Sequence, residues 1–520
     1  MGIIERTGYV FCDYVAPELQ CHCTGKQQFL CLISYVTCTD CGPPIAQMNV
    51  YDKKQWETLE NAGHTLWTIT PIVFFYALAR IICQIMEERF SLIKNELNFL
   101  IEFLFIVVPT VLFLSVWNEY FIYMMLASGI CILIALYVVY DSYAYKRWYI
   151  MGGHRPFVLT LNRATINLLT VVCILAVDFK SFPKHFRKTH RYGVGLMDTG
   201  IGLFVFAMGA VSRPPKTISE FWSALRPAAA LLVMGILRTT AITLASYEQD
   251  ELEYGRHMNA FFTLGLTKLF GSIFSGIAQN PWRHIVVGVA VLGIHELALQ
   301  LHVAKFVMNP YTPRNTLISA NREGIFSIPG FVALYLLSYT IGQSLRMNDT
   351  FLSYHAFMTK LKRTGIACIC LWLLVFGCIF SFSIARVTCN SGYVLWILAI
   401  ALTMTFFFMI VFNLIVNSLW PVRGKAAPKA DESQVHQHEG GLLHTKSQVG
   451  RENIVPAIVD AINMNGLLFF ILANLLTGLV NMCLRPKERS DVESFVILTI
   501  YMLILNLFVH VLHRFQIKIA

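Results

Sequence analysis

The residues best suited to chemistry crowd into Ala176–Ser212, AVDFKSFPKHFRKTHRYGVGLMDTGIGLFVFAMGAVS. An apolar run stops at Asp178. A basic, aromatic segment follows, with Lys180, Lys184, His185, Arg187, Lys188, His190 and Arg191 set among Phe179, Phe182, Phe186 and Tyr192. A carboxylate beside such cations can take a proton from a hydroxyl or orient it. The cations can steady an oxyanion or hold a phosphate. Read as a helix, Asp178–Tyr192 puts its three Phe on one side and Lys180, Lys184, Arg187, Lys188 and Arg191 on another. That is the pattern of a helix lying in a membrane interface, and Pro183 predicts a break or kink within it.

These side chains need elements to carry them. Gly195, Gly202 and Gly209 recur every seven residues, so the next helix presents a bare face that another helix can approach closely. Asp198 lies near its start, where a carboxylate must meet water or a partner. The whole chain is 520 residues, 56% hydrophobic and 14% charged. That balance describes an all-α polytopic membrane protein. Met1–Glu18 has no apolar core, so it is no ordinary cleavable signal and the first span must act as the targeting signal. Flanking Lys and Arg account for the net charge of +10. With no soluble basic domain, nucleic-acid binding is not expected. Six of the fourteen cysteines (Cys12, Cys21, Cys23, Cys31, Cys38, Cys41) sit near the N-terminus at spacings that fit no standard zinc site. Most others fall in apolar runs and read as small core filler.

The chain divides into a polar to mixed segment at 1–64, helices 1–11 over 65–420, a flexible linker at 421–453 and helices 12–13 over 454–520. Apolar runs near residues 65–85, 98–116, 120–140, 159–177, 195–212, 224–245, 257–279, 284–302, 325–344, 365–385, 394–417, 466–484 and 493–513 suggest about thirteen spans in one bundle. The linker, with KAAPKADESQVHQHEGG, is polar and without hydrophobic periodicity. Lys and Arg are richer in the loops opposite the N-terminus, which places the N-terminus and the basic loop in the lumen and the C-terminus in the cytosol. The basic loop then lies on the side that charge normally avoids, which invites a functional reason. Other unusual polar groups fall on that side: Glu248–Asn259, Asn321-Arg322-Glu323-Gly324, and the stripe Asn474, Thr477, Gly478, Asn481. Such a stripe either glues helices together or lines a polar cavity; the gathering at one leaflet favours a cavity.

DFxxFPxxFxKTxxYGxxxMDxGxGxFVF at Asp178–Phe206 closely resembles the hallmark of the glucosaminyl-phosphatidylinositol acyltransferases, the class W enzymes of glycosylphosphatidylinositol (GPI) anchor biosynthesis. Glu253-Tyr-Gly-x-His257-x-Asn259-x-Phe-Phe-Thr263, Asn321-Arg-Glu-Gly-Ile325 and Phe469-Phe470 through Asn481 agree with it. The resemblance covers roughly Lys53 to the C-terminus and leaves residues 1–47 outside. It implies transfer of a fatty acyl group, typically palmitoyl, from acyl-CoA to the inositol 2-hydroxyl of glucosaminyl-phosphatidylinositol in the endoplasmic reticulum membrane. Acyl-CoA is then a co-substrate, and no metal or cofactor is expected. Asp178, as base or hydroxyl orienter, and Lys188, as electrostatic stabiliser, occupy matching motif positions. Lys184 and Arg187 are implied contacts to phosphate or CoA. Asn321, Arg322, Asn474 and Asn481 are assigned to substrate binding or helix packing. Asp198, His257 and Asn259 also fall within the matched patches, as substrate-side positions without a defined role. Family members usually carry Arg at the positions of Lys184 and His185, a small residue at Arg187 and an acid at His190, so neither histidine is assigned catalysis.

Two competing readings have discriminating tests. One is a membrane-bound O-acyltransferase of the histidine-dependent design acting on another lipid, with His295-Glu296 in the eighth run as its centre. It requires activity to fall in His295→Ala and persist in Asp178→Asn. The other is a lipid transporter, for which paired repeats and helices broken at midplane are the usual signature. No such repeat is visible.

Overall fold

The computed structural model describes residues 50–90, 95–138, 148–151, 153–244, 251–348, 351–416 and 455–519. The cysteine-rich segment and the polar linker lie outside them. Among the described residues, fourteen main helices carry the fold: α1 (Val50–Phe90), α2 (Asn95–Glu102, continued through a π-helical turn into Val108–Ser115), α3 (Phe121–Val138), α4 (Phe157–Ala176), α5 (Thr199–Val211), α6 (Ile218–Leu244) and α7 (Ala260–Ala278). They continue with α8 (Pro281–Ala298, extended to Met308), α9 (Arg322–Leu345), α10 (Tyr354–Ser381), α11 (Ser391–Ile410), α12 (Ala457–Met464), α13 (Gly466–Leu484) and α14 (Asp491–Arg514). The chain is an all-α polytopic membrane protein. Among the described residues, eleven helices are long and apolar enough to cross a membrane. The two remaining apolar runs of the thirteen expected from sequence are α3 and the short helix Leu196–Val211. The first helix begins at Val50, well before the apolar run at residue 65, because Lys53–His64 keeps good helix formers in register with the span.

Burial sorts the spans. In α1, α4 and α11, 72–78% of the apolar window is buried, whereas α6 and α13 bury 11% and 17%. The first three form the core and the other two lie at the periphery. Close approach is bought with glycine. A Cβ on Gly202 would meet Ile397 at 2.6 Å and the Tyr393 hydroxyl at 2.7 Å, and one on Gly209 would meet the Tyr335 carbonyl at 2.5 Å. The seven-residue glycine spacing therefore serves α5 against α11 and α9. Gly195, the first of the series, packs instead on the backbone of Arg187 in the basic loop.

At one end of the bundle a two-stranded antiparallel ladder pairs Trp148–Ile150 with Phe351–Ser353. At that same end Glu102 is fully buried. Its carboxylate accepts the backbone N–H groups of Ala457 (3.0 Å) and Ile458 (2.9 Å), the open N-terminus of α12, and lies 3.6 Å from Arg80. Asn463 then donates to the Thr160 carbonyl, which ties α12 to the start of α4. The opposite end carries the motif loop.

Candidate functional site

Asp178–Tyr192 is not a helix. Pro183 opens a single 3₁₀ turn, Lys184–Phe186, and the rest is irregular. The sequence expectation of an interfacial helix with its rings in lipid is therefore corrected: Phe179, Phe182 and Phe186 are buried in the protein core at 1%, 2% and 0% exposure. The rings act as anchors that seat the loop on the bundle, and the charges are left outside. Lys184, Arg187 and Lys188 are exposed. His185 turns back, with its Nε2 3.2 Å from Asn118 Oδ1 and its ring tilted against that of His64, centroids 5.0 Å apart. Burial, then the charge of His64, pushes the His185 imidazole below its ordinary range.

The loop closes on Asp198. The Thr189 backbone N–H (3.1 Å) and hydroxyl (3.0 Å) both donate to its carboxylate, and Arg386 Nε donates at 2.8 Å. Asp198 is fully buried and Arg386 is 6% exposed, so this is an interior ion pair with its lone pairs satisfied. Tyr393 donates to the Asp198 carbonyl at 2.7 Å. Arg386 Nη1 also reaches Glu253 Oε1 at 3.7 Å, and Glu253 receives Lys188 Nζ at 2.6 Å. A chain of alternating charge thus runs Asp198, Arg386, Glu253, Lys188. Burial raises the Glu253 carboxyl, but Lys188 and Arg386 outweigh it and hold the group below the usual carboxylate range.

Asp178 stands at the other end of the loop. Its carboxylate accepts from Asn481 Nδ2 on α13 at 2.8 Å. Among the described residues no ion pair joins Asp178 to Lys188; each is held from a different element. Asn474, two turns before Asn481, is exposed and donates only to the Phe470 carbonyl of its own helix. Of the stripe on α13, Thr477 faces Tyr501 of α14 and acts as glue, whereas Asn481 meets the motif loop.

The site is recessed. Helix α5 has 13 residues and spans about 20 Å, against about 36 Å for the 24 residues of α9. Their far ends are level, since Arg346 donates to the carbonyls of Ala210 and Ser212 at 3.0 Å. Helix α5, with Asp198 at its head, therefore begins roughly halfway along α9.

The other sequence-assigned residues hold backbone. Asn259 caps α7 by accepting from Phe261 (3.0 Å) and Phe262 (3.3 Å), and its amide donates to the Gly235 carbonyl (2.9 Å). Asn321 accepts the N–H groups of His257 (2.7 Å) and Met258 (3.2 Å), docking the segment after Glu253. Gly255, at φ +99°, lets that segment lie against the Asn321 backbone, where a Cβ would meet Cα at 2.5 Å. Arg322 is buried and donates to the carbonyls of Val307, Asn309 and Thr312, closing the turn beyond α8. The His257 side chain is exposed. His295 is buried with its ring on the Thr388 carbonyl (2.9 Å), and Glu296 accepts the Ser391 N–H (2.8 Å). This pair buttresses the loop that carries Arg386, which explains an otherwise costly polar pair in a spanning helix without a catalytic role.

Sequence reasoning missed Arg386 and Tyr393. Arg386 is a lone arginine near the end of a span, where flanking cations are routine, and its partner Asp198 lies 188 residues away. Its one available signal was the charge deficit of a buried Asp198.

Comparison with known proteins adds the lineage. The family model described as GWT1 matches residues 51–512. The chain is 30% identical over 383 residues to GPI-anchored wall transfer protein 1 of Emericella nidulans, covering 70% of this chain and 74% of that one. It is 29% identical over 371 residues to the protein of that name in Schizosaccharomyces pombe, covering 69% and 73%. An uncharacterised Arabidopsis thaliana protein is 29% identical over 441 residues, covering 82% and 90%. The match runs through every element that builds the site, from α1 to α14, and the chain belongs to the GWT1 family.

Proposed function

We propose that this protein acts in GPI-anchor biosynthesis, transferring a fatty acyl group, palmitoyl by preference, from acyl-CoA to the inositol 2-hydroxyl of glucosaminyl-phosphatidylinositol. In this reading the hydroxyl oxygen attacks the thioester carbonyl and the hydroxyl proton passes to Asp178. The C–S bond then breaks and the proton leaves with the CoA thiolate as CoA-SH. Lys188 supplies positive charge to the carbonyl oxygen as it becomes an oxyanion, or to the phosphate that fixes the acceptor. Lys184 and Arg187, exposed beside it, offer further charge to the phosphates of either substrate. The bilayer holds the acceptor's tails and the acyl chain. The membrane is that of the endoplasmic reticulum, with the motif loop lumenal and the C-terminus cytosolic.

The observation that carries the proposal is the presentation of one carboxylate and one ammonium from a single loop, each fixed by a different helix or turn. The names of the fungal relatives support the pathway. The test is a microsomal assay with acyl-CoA and glucosaminyl-phosphatidylinositol, comparing wild type, Asp178→Asn and Lys188→Ala at matched expression. Product from wild type and a loss of at least about a hundredfold in both variants is expected. A wild type that forms no acylated inositol overturns the activity, and near-normal variants move the chemistry elsewhere.

A further inference from the structure

The segment Phe382–Asn390, between α10 and α11, falls in none of the motifs, yet it is held more tightly than a surface connection requires. Asn390 accepts the N–H groups of Ala385 (3.0 Å) and Tyr393 (3.1 Å), and its amide donates to the Ser383 carbonyl (3.0 Å). His295 binds the Thr388 carbonyl, and Gly330 of α9 lies so close to the Cys389 carbonyl that no side chain fits between them. Gly193 of the basic loop donates to the Ile384 carbonyl at 2.9 Å. Two non-glycine residues, Ser383 (φ +65°) and Cys389 (φ +48°), sit in the left-handed region. Such conformations cost free energy and persist where surroundings force them, often at functional sites. The one charged side chain of this segment is Arg386.

We infer that Arg386 and Glu253 are positioning residues for Lys188: the strained loop fixes Arg386 on Asp198, Arg386 fixes Glu253, and Glu253 sets the place of the Lys188 ammonium. This rests on the acyl-transfer reading for its chemical purpose, while the geometry stands apart from it. The planar guanidinium of Arg386 addresses two carboxylates at once, Asp198 through Nε and Glu253 through Nη1. A lysine ammonium has no such fork. Lys188 is otherwise a half-exposed side chain on an irregular loop, which would sample many rotamers without a fixed anion. The groups facing this cluster are Thr189 and Asp198 from the motif loop, Tyr254 beside Glu253, Arg238 of α6, whose charge acts on Glu253, and Arg386. Arg386 itself is held well above its ordinary value; burial opposes its charge but Asp198, Tyr254 and Glu253 outweigh it.

The experiment uses the full chain in membranes and reads two things. First, an amine-reactive anhydride is applied across a pH series and modification of Lys188 is followed by mass spectrometry, with exposed Lys184 as internal reference. Glu253→Gln is expected to raise Lys188 labelling about tenfold, because the 2.6 Å charge-assisted hydrogen bond that ties up the amine is weakened, with Lys184 unchanged. Glu253→Asp is expected to restore most of the protection. Second, acyl transfer is measured. Glu253→Gln and Arg386→Lys are expected to lose at least about tenfold in kcat when assayed well below the unfolding temperature of each variant, with Glu253→Asp regaining most of the loss. Unchanged Lys188 labelling in Glu253→Gln overturns the inference. So does wild-type turnover in both variants while Lys188→Ala is inactive. A wild type that forms no product counts against acyl transfer alone, since the labelling arm still decides the positioning.

Discussion

Asp178 and Lys188 are ten positions apart in sequence and are held by unrelated parts of the fold, Asn481 of α13 for one and Glu253 for the other. The amide of Asn481 therefore carries a specific share of the site. A hydrogen bond to a charged group contributes about 1.5–3 kcal/mol, so Asn481→Leu is expected to lower acyl transfer roughly ten- to a hundredfold. Steady-state rates in microsomes check this, and the loss should remain smaller than that of Asp178→Asn. Glu253 gives a pH prediction. Its folded carboxyl lies below the ordinary value of 4.5, so its contribution to stability is complete above that value and is lost as pH falls through the folded one. Thermal unfolding in detergent should show wild type losing stability below about pH 4.5 more steeply than Glu253→Gln. Equal slopes would count against the pairing.

At the scale of elements, the glycines separate packing from open space. Gly202 meets Ile397 and Tyr393 where a Cβ would stand, whereas Gly478 on α13 has nothing within 4 Å. Gly202→Val is expected to cost about 1–3 kcal/mol through overpacking, seen as a lowered unfolding temperature, and Gly478→Ala is expected to leave stability unchanged or slightly improved. The sequence made much of this legible. Runs of apolar residues located the spans, and the glycine spacing announced a close helix contact, because both are local patterns. The direction of Phe179, Phe182 and Phe186 was not legible. Periodicity reports which residues share a side if a helix forms, and Pro183 prevented the helix. Arg386 and the partners of Lys188 were hidden for another reason: ion pairs between residues 65 or 188 positions apart leave no trace in spacing.

At the scale of the molecule, loops distant in sequence meet at one end of the bundle because α5 is too short to reach it. Its missing length makes a recess that the motif loop, the Glu251–Tyr254 turn and the Phe382–Asn390 segment fill from three directions. Stability and chemistry therefore share parts. His295 supports the segment bearing Arg386, so His295→Ala is expected to reduce turnover by loosening Arg386, with residual activity well above that of Asp178→Asn. Comparable inactivity in both variants would restore a direct role for the histidine.

The buried carboxylate of Glu102 has a consequence for the integrity of the polypeptide itself. It grips the first N–H groups of α12, and Asn463 ties that helix to α4, so the last two spans are recruited by groups near the beginning of the bundle, independent of the chain that leads to them. The protein should then survive being made in two pieces. Co-expressed fragments 1–430 and 440–520, severed within the polar linker, are expected to co-purify and to regain acyl transfer, and Glu102→Ala is expected to abolish that reunion. Fragments that migrate separately would show that covalent continuity, and not this clasp, brings the two ends of the molecule together.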